Sequence, residues 1–167
     1  IHLFDAPFVG LVESKQAVAG KKVVACDSPV GRLGVTICYD LRFPELFQRL
    51  RFGLGCEILL VPSAFTMKTG EAHWEVLLRA RAIECQCYVL AAAQAGQHNE
   101  DGNKRSSWGH ALAVDPWGKV LAQMDGLEEG VRVIEIDSEL LAKTRNEMPH
   151  DCQRRYDVYG SGADKAE

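Results

Sequence analysis

Cys38 closes the apolar run Val35-Thr36-Ile37-Cys38 and is followed at once by Tyr39-Asp40-Leu41-Arg42 and then Pro44. A strand that stops at a sharp turn into a helix projects its last side chain from the sheet end. Backbone N–H groups in such a turn can face a developing oxyanion. A thiol there serves as a nucleophile if a base or cation favours its thiolate. The same position suits a structural cysteine packed as a small hydrophobe, the role expected of the other five, and position alone leaves both readings open.

Other polar side chains could assist that thiol. His73 and His110 are the candidate histidine partners, although a helix-start contact and a strand-end hydrogen bond are the simpler roles for them. Asp40 and Glu45 lie next to the thiol, where a carboxylate suits capping the turn or pairing with Arg42. Arg79, Arg81 and Glu84 read as an ion-pair network rather than a substrate clamp. Cys85-x-Cys87 has no second pair of ligands at metal-site spacing, which argues against zinc.

Two short strands, 22–26 and 33–38, flank the turn Asp27-Ser28-Pro29-Val30-Gly31 and deliver Cys38 to its place. Pro44 suits the first position of a helix whose Leu46, Phe47 and Leu50 share a face up to Gly53. An unbroken apolar strand over 57–61 ends at Pro62. A helix over 71–85 follows, capped by Thr69, with Trp74, Leu77, Leu78 and Cys85 along one face. Residues 87–93 form the next buried strand and 96–107 an exposed polar loop. A hairpin, 110–114 and 119–123, turns around Asp115-Pro116-Trp117-Gly118. Residues 132–136 alternate as a strand, and Asp137 or Ser138 caps a helix over 139–147. Interleaved strands and helices give an α/β or α+β class with a layered sheet. After Tyr159 the tail 160–167 reads as disordered.

The chain has 167 residues, 47% of them hydrophobic and 25% charged, enough for the core of one domain or a large piece of one. No apolar run approaches the ~18 residues of a membrane span. The net charge of -4, from 19 basic and 23 acidic residues, comes without a basic block, which argues against nucleic-acid binding. Six cysteines in a chain with this much core read as free thiols, pointing to the cytosol or a similar reducing compartment. The first residue is Ile1, not Met.

The segment from Gly31 to Leu46, Gly-Arg-Leu-Gly-Val-Thr-Ile-Cys-Tyr-Asp-Leu-Arg-Phe-Pro-Glu-Leu, strongly resembles the nucleophile motif of the nitrilase (carbon–nitrogen hydrolase) superfamily. His2-Leu3-Phe4-Asp5, Pro62-Ser63-Ala64-Phe65 and the run from Ala72 to Glu84 resemble further blocks of that family. So do Gln86-Cys87-Tyr88-Val89, Gly109-His110, Asp115-Pro116-Trp117-Gly118 and the run from Arg154 to Tyr159. Within the superfamily the chain is most similar to the Nit branch, including the Nit part of Nit–Fhit fusions.

The resemblance implies an α-β-β-α sandwich, with residues 1–159 as its C-terminal part. It implies amide hydrolysis by a cysteine, a glutamate and a lysine, with no metal or organic cofactor. Cys38 matches the nucleophile, and the Tyr39 backbone N–H matches an oxyanion donor. A pocket of Arg42, Ser63, Ala64, Phe65, His73 and Trp74 would receive the substrate. That substrate would be a small carboxamide such as deaminated glutathione, giving an acid and ammonia through a thioester. A 2-oxo-acid amide, the substrate class of the sister ω-amidases, is the alternative. The lysine would stand directly before Ile1, the glutamate further upstream, and Pro7 near a position where relatives often carry an acid. The 167 residues alone would then be an inactive piece or an oligomerisation module. A homo-oligomer, a fused Fhit-type domain, and a cytoplasmic or mitochondrial location complete what the family implies.

Overall fold

The structure is a computed structural model that describes residues 1–6, 10–99, 101–102, 105–127 and 129–160. Gly31, at φ +127°, reverses the chain between β3 (Val24–Ser28) and β4 (Gly31–Val35), which pair antiparallel. Only glycine fits there: a Cβ would sit 2.7 Å from the Glu57 carboxylate, which accepts a hydrogen bond from the Arg32 N–H. β5 (Ile58–Leu60) and β6 (Tyr88–Ala91) continue the sheet in parallel with β4. The antiparallel hairpin β9 (Leu112–Val114) and β10 (Val120–Gln123) then joins through β9 to β6. The resulting order is β10-β9-β6-β5-β4-β3.

Helices α1 (Pro44–Gln48) and α2 (Met67–Cys85) cover one face of this sheet. Leu41, Phe47, Leu50, Leu59, Trp74, Leu78, Val89 and Val114 meet there, all essentially inaccessible to water. Gly34 lets Leu50 approach, since a Cβ at that point would lie 3.1 Å from it. On the opposite face Ile58 and Tyr88 pack against Leu141 of α3 (Ser138–Glu147), with Ile134 and Ile136 beside them. This is the layered α/β arrangement expected from the sequence.

The hairpin turn at 115–118 stands as expected, its Asp115 Oδ1 accepting from the Trp117 and Lys119 N–H groups at 2.9 Å each. Asp137 caps α3, accepting from the Leu140 N–H at 2.9 Å. Five expectations change, the first being that β3 runs over Val24–Ser28, so that Asp27 and Ser28 pair with Arg32 and Gly31 rather than forming the turn. Strand β4 ends at Val35, and Cys38 begins a 3₁₀ turn, Cys38–Arg42, rather than ending the strand. Helix α2 starts earlier, because Thr66 and not Thr69 is the cap; the Thr66 hydroxyl oxygen accepts from the Thr69 N–H. The polar stretch 96–107 contributes a ladder, β7 (Ala95–Gln97) against β8 (Ser106–Trp108), with Ser107 buried. Residues 132–136 run without a strand assignment. Their alternation reports a face, Ile134 and Ile136 inward with Val133 outward, and not a pairing partner. The remaining short pieces are the ladder of β1 (Asp5–Ala6) with β2 (Leu11–Val12), a 3₁₀ turn over Glu13–Lys15, a π-helical turn over Arg49–Gly53 that continues α1, and α4 (Tyr156–Tyr159). Pro7 and residues 161–167 of the expected tail lie outside the described residues.

Candidate active site

Beyond Val35 the chain stays extended and keeps its hold on the strand beside it. Thr36 is buried, and both its N–H and its hydroxyl donate to the Leu60 carbonyl, at 3.1 and 2.8 Å. The Cys38 N–H donates to the Pro62 carbonyl at 2.9 Å. Cys38 itself then takes a left-handed φ of +46°, a conformation that costs a residue with a Cβ about 1–3 kcal/mol. Such a residue persists only where its surroundings overdetermine it, and here both sides are tied. Arg81, buried on α2, donates twice to the Leu41 carbonyl at 3.1 and 2.7 Å and so anchors the turn from beneath.

Asp40 closes the turn from the other side. Its Oδ2 accepts from the Ile37 N–H at 3.0 Å, and its Oδ1 accepts from the His2 N–H at 2.9 Å with His2 Nδ1 2.8 Å away. The Ile1 nitrogen is 3.1 Å from Oδ2. Burial by itself pushes the Asp40 carboxyl up; the hydrogen bonds from His2 and Ile37 outweigh it and hold the group below its ordinary value. The His2 ring stacks on Phe43 at 3.6 Å, and Tyr39 sits edge-on to both Phe4 and Phe43.

The thiol of Cys38 is half-buried at the head of this turn. The Tyr39 N–H belongs to the turn's first residues, whose N–H groups lack acceptors within the turn itself.

Arg42, Phe65, His73 and Trp74 come together as one stack. An Arg42 guanidinium nitrogen is 3.2 Å from His73 Nδ1, and the guanidinium lies 5.3 Å from the Phe65 ring centre. Phe65 in turn packs on Trp74 at 4.9 Å. Trp74 is buried, with Nε1 donating to the His110 carbonyl at 2.7 Å, so it reaches the stack's surface only through Phe65. Ser63 is also buried, its hydroxyl on the Val61 carbonyl at 3.2 Å, and it extends the β5–β6 pairing through a bridge to Ala93. Ala64 is half-buried between Ser63 and Phe65. His110 stacks on Trp108 at 4.2 Å with Nδ1 2.7 Å from the Trp108 carbonyl, a contact at the end of β8.

Sequence reasoning left Asp40 between a cap and a partner for Arg42. It caps, while Arg42 turns to His73. The pairing of Asp40 with His2, 38 positions apart, was missed, since no local spacing could announce it. Arg81 with Glu84 does form the expected ion pair at 2.8 Å, and the same guanidinium also braces the Cys38 turn. Among the described residues no group of three or more histidine, cysteine or acidic side chains is gathered to hold a metal.

Residues 1–146 match the carbon–nitrogen hydrolase family. The chain is 50% identical over 153 residues to the deaminated glutathione amidase of Dictyostelium discoideum, covering 89% of this chain and 51% of that protein. It is 46% identical over 164 residues to the human deaminated glutathione amidase, covering 96% of this chain and 49% of that one. The crystal structure of the Caenorhabditis elegans NitFhit protein superposes with a TM-score of 0.85 at 48% identity, covering 96% of this chain and 39% of that one. The chain thus spans about half the length of these amidase relatives. Matched over most of its residues and folded alike, the chain belongs to the carbon–nitrogen hydrolase family, the nitrilase superfamily.

Proposed function

We propose that the protein containing this chain hydrolyses a small carboxamide of the deaminated glutathione type, with Cys38 as nucleophile. The observation that carries the reading is a half-buried thiol held in a left-handed conformation at the head of a turn tied by Asp40 and Arg81. The names of relatives about 50% identical support the substrate class.

The Cys38 thiolate attacks the amide carbon, forming the S–C bond, and the C=O π electrons move onto oxygen. The Tyr39 N–H stabilises that oxyanion. Collapse of the tetrahedral intermediate breaks the C–N bond, the nitrogen leaves as ammonia after taking up a proton, and a thioester remains. Water then cleaves the thioester, giving the acid and regenerating the thiol. The Arg42 guanidinium offers positive charge, and the exposed His73 a hydrogen bond, to a substrate carboxylate, with Phe65 and Ala64 as apolar wall. On this reading the family lysine and glutamate would lie outside residues 1–167, and this chain alone is expected to be alkylated at Cys38 without turning over. A homo-oligomer, a fused Fhit-type domain in the parent and a reducing compartment belong to the same reading.

Ammonia release from deaminated glutathione, measured with the parent protein, tests it. Cys38→Ala should reduce release to background, and undiminished release would overturn the assignment. A parent that prefers 2-oxo-acid amides would instead be acting as an ω-amidase.

A further inference from the structure

The carboxylate of Asp40 carries more bonds than a turn cap needs. It is only 2% exposed, and its two oxygens take the Ile37 N–H, the His2 N–H and the His2 ring nitrogen within 3.0 Å. One of these donors lies directly before Cys38, and the other two lie on the segment Ile1–Phe4. That segment is held a second time by rings: His2 stacks flat on Phe43, at 8° between planes, and Phe4 meets Tyr39 edge-on. Phe43 and Tyr39 flank Asp40 in the same turn. The backbone of residues 1–4 therefore lies against the nucleophile turn and forms a wall beside it.

We propose that Asp40 is a positioning residue for Cys38: a buried carboxylate that fixes the left-handed nucleophile turn and docks the Ile1–Phe4 segment against it through His2. The proposal rests on Cys38 being the reacting thiol, as in the function proposed above. The carboxylate acts through backbone geometry. Its ionised form supplies two acceptor oxygens with lone pairs for the Ile37 and His2 donors and for the Ile1 nitrogen, whereas an amide offers one oxygen and turns an N–H₂ toward the donor its other oxygen had satisfied.

Alkylation of Cys38 by iodoacetamide in this chain, resolved by peptide mass spectrometry, tests the idea without any amide substrate. The exposed Cys26 serves as the internal reference. Lost positioning of the thiol is read as slower alkylation. Asp40→Asn is expected to slow Cys38 about tenfold relative to Cys26, as misplacement of a reacting group does. His2→Ala should slow it by a smaller factor, and His2→Asn, whose side-chain N–H₂ can occupy the place of Nδ1, should restore most of the rate. Circular dichroism establishes that each variant is folded; should Asp40→Asn not fold, the His2 pair decides. An unchanged or faster Cys38 in Asp40→Asn, or equal rates in His2→Ala and His2→Asn, would overturn the proposal. Failure of the parent protein to release ammonia would instead count against the amidase reading, leaving the alkylation comparison to judge Asp40.

Discussion

Asp40 binds its partners as a carboxylate, and its pKa is lowered in the folded chain despite burial. A group of this kind adds stability that is present above the ordinary carboxylate range and disappears as pH falls through its folded value. Urea unfolding of the native chain and Asp40→Asn should therefore differ most near neutral pH, with the gap closing in acid. A gap independent of pH would show that the charge on Asp40 does not matter. The thiols divide in a second way. Burial pushes Cys87 up to about 12 and Cys85 well above its ordinary value, and it raises Cys56 as well. A short pulse of iodoacetamide on the folded chain should label Cys26, Cys38 and Cys152 and spare those three, and labelling of Cys87 without unfolding would contradict the burial seen here. The turn at Cys38 was legible in sequence because strand, turn and Pro44 are local signals. The His2 contact was not, because two residues 38 positions apart become neighbours only through the sheet.

Helix α2 shows the same division at the scale of an element. Trp74, Leu78 and Cys85 line its buried face as their spacing foretold, whereas the importance of Gly70 depends on a distant strand. A Cβ on Gly70 would fall inside the Cβ and Cγ atoms of Trp108 on β8. Glycine inside a helix ordinarily costs stability relative to alanine, so an isolated helix would gain from Gly70→Ala. In this chain the substitution should instead lower stability by about 1–3 kcal/mol, the usual cost of overpacking. Thr66→Ala, which removes the cap, should cost about 1 kcal/mol. Chemical denaturation with tryptophan fluorescence measures both, and a stabilised Gly70→Ala would mean that β8 yields to the helix. Residues 132–136 were misread for a related reason. Alternation records which side faces the core and carries no information about whether a neighbouring strand is there to pair with.

Across the whole molecule the two faces of the six-stranded sheet are unequal. The face under α1 and α2 is sealed, whereas among the described residues the other is covered where Leu141, Ile134 and Ile136 reach Ile58 and Tyr88. Val24 and Val35, directly opposite each other on β3 and β4, remain 50% and 40% exposed, and Ile37 is 63% exposed. With the half-buried Leu60 and Leu90 on the neighbouring strands, they make an apolar row across the sheet. An α-β-β-α sandwich would lay its second sheet against such a row, and apolar area left to water drives dye binding and self-association. The 167-residue chain alone should therefore enhance the fluorescence of an apolar dye such as ANS and sediment as more than a monomer. Val24→Thr with Val35→Thr keeps the β-branched shape that strands favour while making the row polar. The double variant should weaken dye binding and shift sedimentation toward the monomer. A native chain that is monomeric and leaves the dye dark would show that this face does not attract a partner, and the expectation of a second sheet upon it would fall.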